Sequence, residues 1–243
     1  MTDYHGQTRA VPRTADMAVD AGLRSFMLGV YNKMGLGLLL SGALAWIVGT
    51  TPALFTTLLT PPLAYVVMFG PVGILLITSF TLRNPSPTAA NLVYWSVVTL
   101  IGVGLGAIVF AYARIPEGMT IVAKAFLVTA ASFGALSLWG YTTKRDLTGF
   151  GTFLFMGVIG IVIASIANMF IHSTALAFAI SVIGVLVFAG LTAFDTQRLK
   201  FMYYDLGGDA RGAAVASTYG ALSLYLDFIN MFMFILRLMS PRN

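Results

Sequence analysis

The sequence has no cysteine, two histidines and few charged residues, and each shortage excludes a class of protein. Without cysteine there can be no disulfide, thiolate metal site or cysteine nucleophile. The two histidines, His5 and His172, argue against a histidine-based metal or haem site inside the fold. Charged residues make up only 9% of the 243 residues, against roughly 25% in soluble domains. The chain is therefore neither a soluble enzyme nor a disordered protein.

Long apolar runs dominate the chain instead. Hydrophobic residues make up 58% of it, and seven runs reach the roughly 20 residues that a helix needs to cross a bilayer. The runs do not alternate apolar and polar residues as membrane β-strands do, so we expect helices, which satisfy their backbone groups internally. The sequence predicts an all-α integral membrane protein, a bundle of seven transmembrane helices. The expected spans are Leu28–Thr50, Leu63–Leu82, Asn91–Ala113, Thr120–Tyr141, Leu147–Ile171, Thr174–Leu199 and Ser217–Met239.

A polar segment precedes the first expected span. Residues 1–27 carry charges of both signs and lack the basic, apolar and small-residue regions of a signal peptide. We interpret them as a polar cytoplasmic tail with a short helix over Ala15–Phe26. Residues 28–240 then form a single transmembrane domain.

Lysine and arginine are unevenly divided between the two sides of the predicted bundle. With the N terminus in the cytoplasm, ten of the 14 lie on the cytoplasmic side and four on the other, which is the bias that sets orientation in membranes. Seven spans then place the C terminus outside, unless the last segment turns back and returns Arg237 and Arg242 to the cytoplasm. The net charge of +5 is spread between apolar runs, which favours anionic lipid over nucleic acid as the partner.

Closely spaced glycines lie within the third expected span, at Gly102, Gly104 and Gly106. They look like a nucleotide-binding glycine loop, but they lie inside an apolar span with no strand before it. Close packing between helices is the better interpretation, because small residues let helices approach each other in lipid.

Two aspartates lie inside expected spans, Asp195 in the sixth and Asp227 in the seventh. A carboxylate within a span costs at least ~2.5 kcal/mol, so it normally faces a partner or a wet cavity. If the sixth helix continues to Met202, Asp195 lies roughly 10 Å from its end, and if the seventh begins near Tyr219, Asp227 lies roughly 12 Å from its start. Because the two helices are consecutive and antiparallel, the carboxylates would then meet at one level. A start at Ser217 would put Asp227 about 3 Å deeper.

Two carboxylates in contact cannot both ionise cheaply, so they share a proton and titrate in two steps. The pair is therefore a candidate pH-sensing site, and its hard oxygens are of the kind that bind Ca²⁺. No other metal and no cofactor is expected. The plainer alternative is that each aspartate separately accepts hydrogen bonds from supporting polar residues such as Ser223 or Asn230. A further candidate is Arg83 at the cytoplasmic end of the second span, which either extends to the headgroups or points inward to the aspartates.

Three segments around these residues resemble the Bax inhibitor-1/YccA family of membrane proteins, also called the transmembrane Bax inhibitor motif family. The resemblance extends over all seven spans, although the loop containing Gly207 and Gly212 is longer than in the shortest bacterial members. The segments are Ser223-Leu-Tyr-Leu-Asp227-Phe-Ile-Asn230-Met-Phe in the last span, Phe194-Asp195-Thr-Gln-Arg198 at the end of the sixth, and Gly140-Tyr-Thr-Thr-Lys-Arg145-Asp146-Leu147 before the fifth.

The resemblance implies a seven-helix bundle in a bacterial inner membrane, with the last helix surrounded by the other six. It implies that Asp195 and Asp227 are the family's pH-sensing pair and that Arg83 is the arginine that latches against them. Family members are linked to pH-dependent Ca²⁺ leak, and eukaryotic members suppress cell death at the endoplasmic reticulum. Some bacterial members bind and inhibit a membrane-bound AAA protease.

Three functions remain open on these grounds. The first is a pH-sensitive Ca²⁺ or cation leak, with Asp195 and Asp227 as the ion and proton site and Arg83 as the latch. The second is a non-conducting modulator of a membrane-bound AAA protease, which the charged tail of residues 1–27 could reach. The third, an intramembrane aspartyl protease, also uses two aspartates on adjacent helices, but the Gly-x-Gly-Asp motif of such enzymes is missing at both positions. We therefore expect no enzyme activity.

Overall fold

The computed structural model describes residues 21–81 and 84–240. Within these ranges the chain forms eight α-helices, of which seven are long and apolar enough to cross a membrane. The remaining helix is short and lies in the first loop. Its Pro52 occupies a position in the first turn, where no backbone donor is needed. The all-α fold with seven spanning helices is confirmed. The helices are α1 (Ala21–Thr50), α2 (Pro52–Leu58), α3 (Leu63–Thr81), α4 (Pro87–Tyr112), α5 (Gly118–Thr142), α6 (Thr148–Ile171), α7 (Thr174–Asp205) and α8 (Ala210–Met239).

Helix α1 begins at Ala21, seven residues before the expected start at Leu28. Its first turns are amphipathic, because Leu23, Phe26 and Met27 are buried in the core while the other face is polar. A rule that counts only apolar residues misses such an extension. Residues 21–26 of the short helix expected in the tail therefore belong to α1, and residues 15–20 lie outside the described part of the chain.

Helices α7 and α8 are also longer than expected, and a turn of four residues joins Asp205 to Ala210. The side chain of Asp209 accepts a hydrogen bond from the backbone N–H of Arg211 (3.0 Å) and so fixes the start of α8. Helix α8 continues without a break to Met239, a length of about 45 Å. The last segment therefore does not turn back, and the two ends of the described chain lie on opposite faces of the bundle. The cytoplasmic placement of the N terminus stays a prediction.

The last helix, α8, lies at the centre of the bundle. It packs against α1, α4, α5 and α7, and its most apolar stretch is 50% buried, more than in any other span that the structure describes. Helices α3 and α6 lie on the outside, where α3 packs on α4 and α6 packs on α7. The central last helix is confirmed, with four helices rather than six forming the ring directly around it.

Buried hydroxyl groups join α1, α4 and α8. The Ser41 hydroxyl donates to the Val98 carbonyl (3.1 Å) and is hydrogen-bonded to the hydroxyl of Tyr225 (2.7 Å). The Tyr94 hydroxyl donates to the carbonyl of Lys33 (2.7 Å). Because lipid tails are as apolar as the helices, association in a bilayer depends on such bonds and on close packing.

Glycines permit the closest helix contacts. A Cβ at Gly102 would lie 2.7 Å from the Cα of Ser41, and one at Gly106 would meet a side chain of α1 at 2.8 Å. A Cβ at Gly140 would lie 2.3 Å from the carbonyl oxygen of Ala193. These distances are too short for any side chain, so the interpretation of Gly102 and Gly106 as helix-packing residues is confirmed.

Candidate functional site

The two intramembrane aspartates face one cavity. This cavity has a volume of about 650 Å³ and lies between α6, α7 and α8. Asp195 on α7 and Asp227 on α8 both line it, and each is only 5% exposed. Most of the remaining wall is apolar, including Phe155 and Ile161 of α6. Two acidic groups are thus brought together in surroundings that give them few polar neighbours.

Asp195 has two partners of opposite kind. The hydroxyl of Ser223 on α8 donates a short hydrogen bond to its Oδ2 atom. The guanidinium of Arg198, three residues later on α7, lies 3.6 Å from its Oδ1 atom. Both oxygens of Asp195 are therefore compensated, one by a neutral donor and one by a cation.

Asp227 lacks such partners. Its Oδ2 atom is buried and has no hydrogen-bond partner among the described residues. Asp195 and Arg198 line the same cavity, so a charge on Asp227 would be repelled by the one and attracted by the other. A buried, incompletely satisfied carboxylate is costly for folding, so its presence calls for a functional reason.

The asymmetry follows from the register of α7 against α8. Asp195 faces Ser223, and Asp227 lies four residues further along α8, roughly 6 Å along the axis. The sequence predicted the two carboxylates at one level if the last helix begins near Tyr219. The helix in fact begins at Ala210. The two carboxylates share the cavity at different depths.

The supporting polar residues divide between the two aspartates unequally. Ser223 donates a hydrogen bond to Asp195, as predicted by the alternative in which each aspartate separately accepts hydrogen bonds from nearby polar residues. Asn230 lines the cavity, but its Nδ2 atom donates to the carbonyl of Leu226 on its own helix (2.8 Å). Its amide nitrogen is therefore occupied within α8.

Sequence reasoning missed Arg198 as a member of the site and counted it only as a marker of orientation. The signal was present, because Asp195 and Arg198 are three residues apart and such pairs meet on one helix face. The predicted latch, Arg83, lies outside the described residues, as does most of the tail on which the protease-partner hypothesis rests. Both stay predictions.

The end of α7 also holds the loop between α5 and α6. Gln197 accepts a hydrogen bond from the backbone N–H of Leu147 and donates one to the carbonyl of Arg145, both at 2.8 Å. The ammonium of Lys200, which is 1% exposed, donates to the carbonyl of Tyr141 near the end of α5 (2.7 Å). The segment that carries Asp195 is thereby anchored to a loop at the membrane surface.

The cavity offers few ligands for a resident metal ion. Within residues 21–81 and 84–240, no three histidine, aspartate or glutamate side chains cluster where they could hold a metal ion. Ca²⁺ takes six to eight oxygen ligands, whereas here two carboxylates, Ser223 and Asn230 supply oxygens and Arg198 competes for one of them. The oxygen ligands that line the cavity are therefore fewer than a resident Ca²⁺ requires.

Comparison with known proteins gives one consistent answer. A family model described as "Inhibitor of apoptosis-promoting Bax1" matches residues 23–243. An uncharacterized protein of Caulobacter vibrioides is 52% identical, with 97% of each chain covered. The inner membrane protein YbhL of Escherichia coli is 40% identical over 91% of this chain and 94% of its own length. A protein of Rickettsia prowazekii, RP147, is 38% identical over 100% of this chain and 99% of its own.

Proposed function

Since the chain belongs to the Bax inhibitor-1 family and is an integral inner-membrane protein, we propose that it is a passive, pH-sensitive leak for Ca²⁺ or other cations. Asp195 and Asp227 form its proton and ion site. The observation that carries the proposal is the buried Oδ2 atom of Asp227, which lies in the same cavity as Asp195 and has no hydrogen-bond partner in the described chain. Such an atom has capacity left to take up a proton or a cation.

Gating follows from the charge of the pair. With both carboxylates ionised, their repulsion pushes α7 and α8 apart at the cavity, and Arg198 offsets only part of it. Uptake of a proton removes one charge and the repulsion with it. The two charge states therefore favour different separations of α7 and α8, which is the differential interaction that a two-state gate requires.

The permeating cation is the substrate of this process. Divalent cations are drawn to two carboxylates, and the side-chain oxygens of Ser223 and Asn230 complete a partial shell. The apolar wall from α6 keeps other polar groups away, so the ion is held weakly enough to leave. A leak needs this balance, whereas a storage site would need more ligands.

The first test measures Ca²⁺ flux in proteoliposomes that contain a Ca²⁺-sensitive dye, at several pH values between 5 and 8. The wild-type leak is expected to change with pH. Asp227→Asn, which removes the titrating group with little change in shape, is expected to leak at a rate independent of pH. A leak from Asp227→Asn that follows the wild-type curve would show that this site does not gate the protein.

Asp146→Asn is the matched control for this test. Asp146 is exposed in the loop before α6, and its side-chain and backbone hydrogen bonds with Thr148 hold its pKa below the usual range. It therefore stays ionised over the pH range of the experiment. Its replacement is expected to leave the pH response of the leak unchanged.

The second test concerns Arg198. Its guanidinium repels an entering cation and occupies one oxygen of Asp195, so Arg198→Gln is expected to raise the Ca²⁺ leak several-fold at fixed pH. Two unit charges 4 Å apart interact by about 1 kcal/mol even in water, and an energy of this size corresponds to a several-fold change in rate. The exposed Arg211 supplies the control, because Arg211→Gln removes a charge on α8 outside the cavity. An unchanged leak in Arg198→Gln contradicts the assigned role.

Arg83→Gln belongs in the same series. If the latch implied by the family acts in this chain, loss of Arg83 raises the leak as well. If only Arg198→Gln raises it, Arg198 alone supplies the counter-charge of the pair.

A further inference from the structure

A second cavity lies away from the aspartates, between α1 and α5. Its volume is about 590 Å³, and it shares no lining residue with the aspartate cavity. It is open to the outer surface of the bundle, where Leu28 is 50% exposed and Leu138 is 64% exposed. In a membrane this surface faces lipid, so we call the cavity the α1–α5 groove.

The groove is polar at one end and apolar along its length. Arg24 lies three residues after the start of α1, and Tyr141 is the residue before the last of α5. Because α1 and α5 are antiparallel, these two residues lie at the same face of the membrane. Phe133 lines the groove nine residues before the end of α5, roughly 13 Å deeper in the bilayer. This gradient matches a phospholipid, with its headgroup at Arg24 and its tail toward Phe133.

Arg24 lines the polar end of the groove. The side chain is exposed, and neither a hydrogen bond nor an ion pair with a described residue occupies it. A guanidinium binds phosphate through two parallel hydrogen bonds, which makes arginine well suited to a phosphate at the membrane surface. The charge at the polar end therefore complements a negatively charged headgroup.

Gly134 keeps the groove open between these ends. A Cβ placed on Gly134 would meet no atom within 4 Å, unlike the Cβ atoms that would clash where α5 approaches α7 at Gly140. The glycine is thus not explained by contact with a neighbouring helix. Its lack of a side chain leaves room for an acyl chain beside Phe133.

We propose that the α1–α5 groove binds one anionic phospholipid, whose phosphate contacts Arg24 and whose acyl chain passes Gly134. Tyr31 and Ser137 also line the groove, and their hydroxyl groups contact Thr196 on α7 at 3.5 and 3.4 Å. The lipid site is independent of the proposed cation leak, so neither proposal depends on the other.

Native mass spectrometry of the full-length purified protein tests the proposal, with phosphatidylglycerol and phosphatidylcholine added separately. Wild type is expected to retain one phosphatidylglycerol in preference to phosphatidylcholine. Arg24→Gln is expected to weaken phosphatidylglycerol binding about five-fold, since one basic residue near a membrane surface contributes roughly that factor. It is expected to weaken phosphatidylcholine binding less, because the choline cation offsets the charge of that lipid's phosphate. Gly134→Trp is expected to reduce binding of both lipids, because it fills the groove.

Two control variants accompany these measurements. Gly160→Trp places the same side chain at another glycine with open space around it, and Arg211→Gln removes a cation at the same face of the membrane. Both are expected to bind lipid like wild type. Equal phosphatidylglycerol binding by wild type, Arg24→Gln and Gly134→Trp overturns the proposal. A dimer that Gly134→Trp disrupts, with no lipid retained by wild type, overturns it in favour of a second copy of the chain.

Discussion

Replacing Asp227 by leucine is expected to stabilise the protein while abolishing the pH response of the proposed leak. The substitution removes a buried oxygen that has no hydrogen-bond partner in the described chain, and it removes the repulsion from Asp195. An unsatisfied buried polar group costs about 1–3 kcal/mol, and the adjoining cavity has room for the larger side chain. We expect the free energy of unfolding to rise by about 1–3 kcal/mol. Thermal unfolding followed by circular dichroism in detergent measures the change.

Asp195→Leu is the matched control, and its expected effect has the opposite sign. This substitution removes the acceptor of the Ser223 hydroxyl and the ion partner of Arg198. We expect a loss of about 1–3 kcal/mol, because the Ser223 hydroxyl is left without its acceptor. Equal destabilisation by both substitutions would mean that Asp227 is satisfied in the folded protein and has no spare capacity for a proton or cation.

Gly140→Val is expected to prevent normal folding. Its Cβ would lie 2.3 Å from the carbonyl oxygen of Ala193 and 2.9 Å from the Cα of Ala193. These are backbone atoms of α7, which cannot move aside by a change of rotamer, so the two helices must separate. We expect a loss of about 3 kcal/mol or more, at the upper end of overpacking costs. Yield of folded protein and thermal stability in detergent are the measurements.

Gly134→Val provides the comparison on the same helix. A Cβ at Gly134 would have no neighbouring atom within 4 Å, so valine is expected to change stability by less than about 0.5 kcal/mol. If both variants fold equally well, the close contact between α5 and α7 does not limit packing at Gly140. Separation at this contact also displaces Asp195, which is only two residues after Ala193.

The sequence predicted the seven spans because hydrocarbon admits few alternatives to an apolar helix of sufficient length. It predicted their ends less well, since Ala21 and Ala210 begin amphipathic extensions whose stability comes from packing on other helices. The outer positions of α3 and α6 were not predicted either. They are no more apolar than α4 and α7, which pack on the central helix, so hydropathy does not identify which spans face lipid.

The sequence identified the candidate site because a charged side chain inside a membrane span costs free energy, and only Asp195 and Asp227 are acidic residues within the expected spans. Sequence spacing could not give the register of α7 against α8, because that register depends on where each helix ends. The difference in environment between the two aspartates therefore appears only in three dimensions. Arg198 could have been assigned from its spacing, but it was counted only among the basic residues that indicate orientation.

The outer position of α6 has a mechanical consequence for the aspartate cavity. Helix α6 completes one wall of this cavity, yet it packs chiefly on α7, and only 11% of its most apolar stretch is buried. Lipid tails resemble its side chains chemically, so a sideways step of α6 exchanges protein neighbours for hydrocarbon neighbours at little net free energy. We therefore expect the position of this wall to depend on lateral pressure and bilayer thickness, so the stiffness of the surrounding membrane is expected to influence the volume of the cavity.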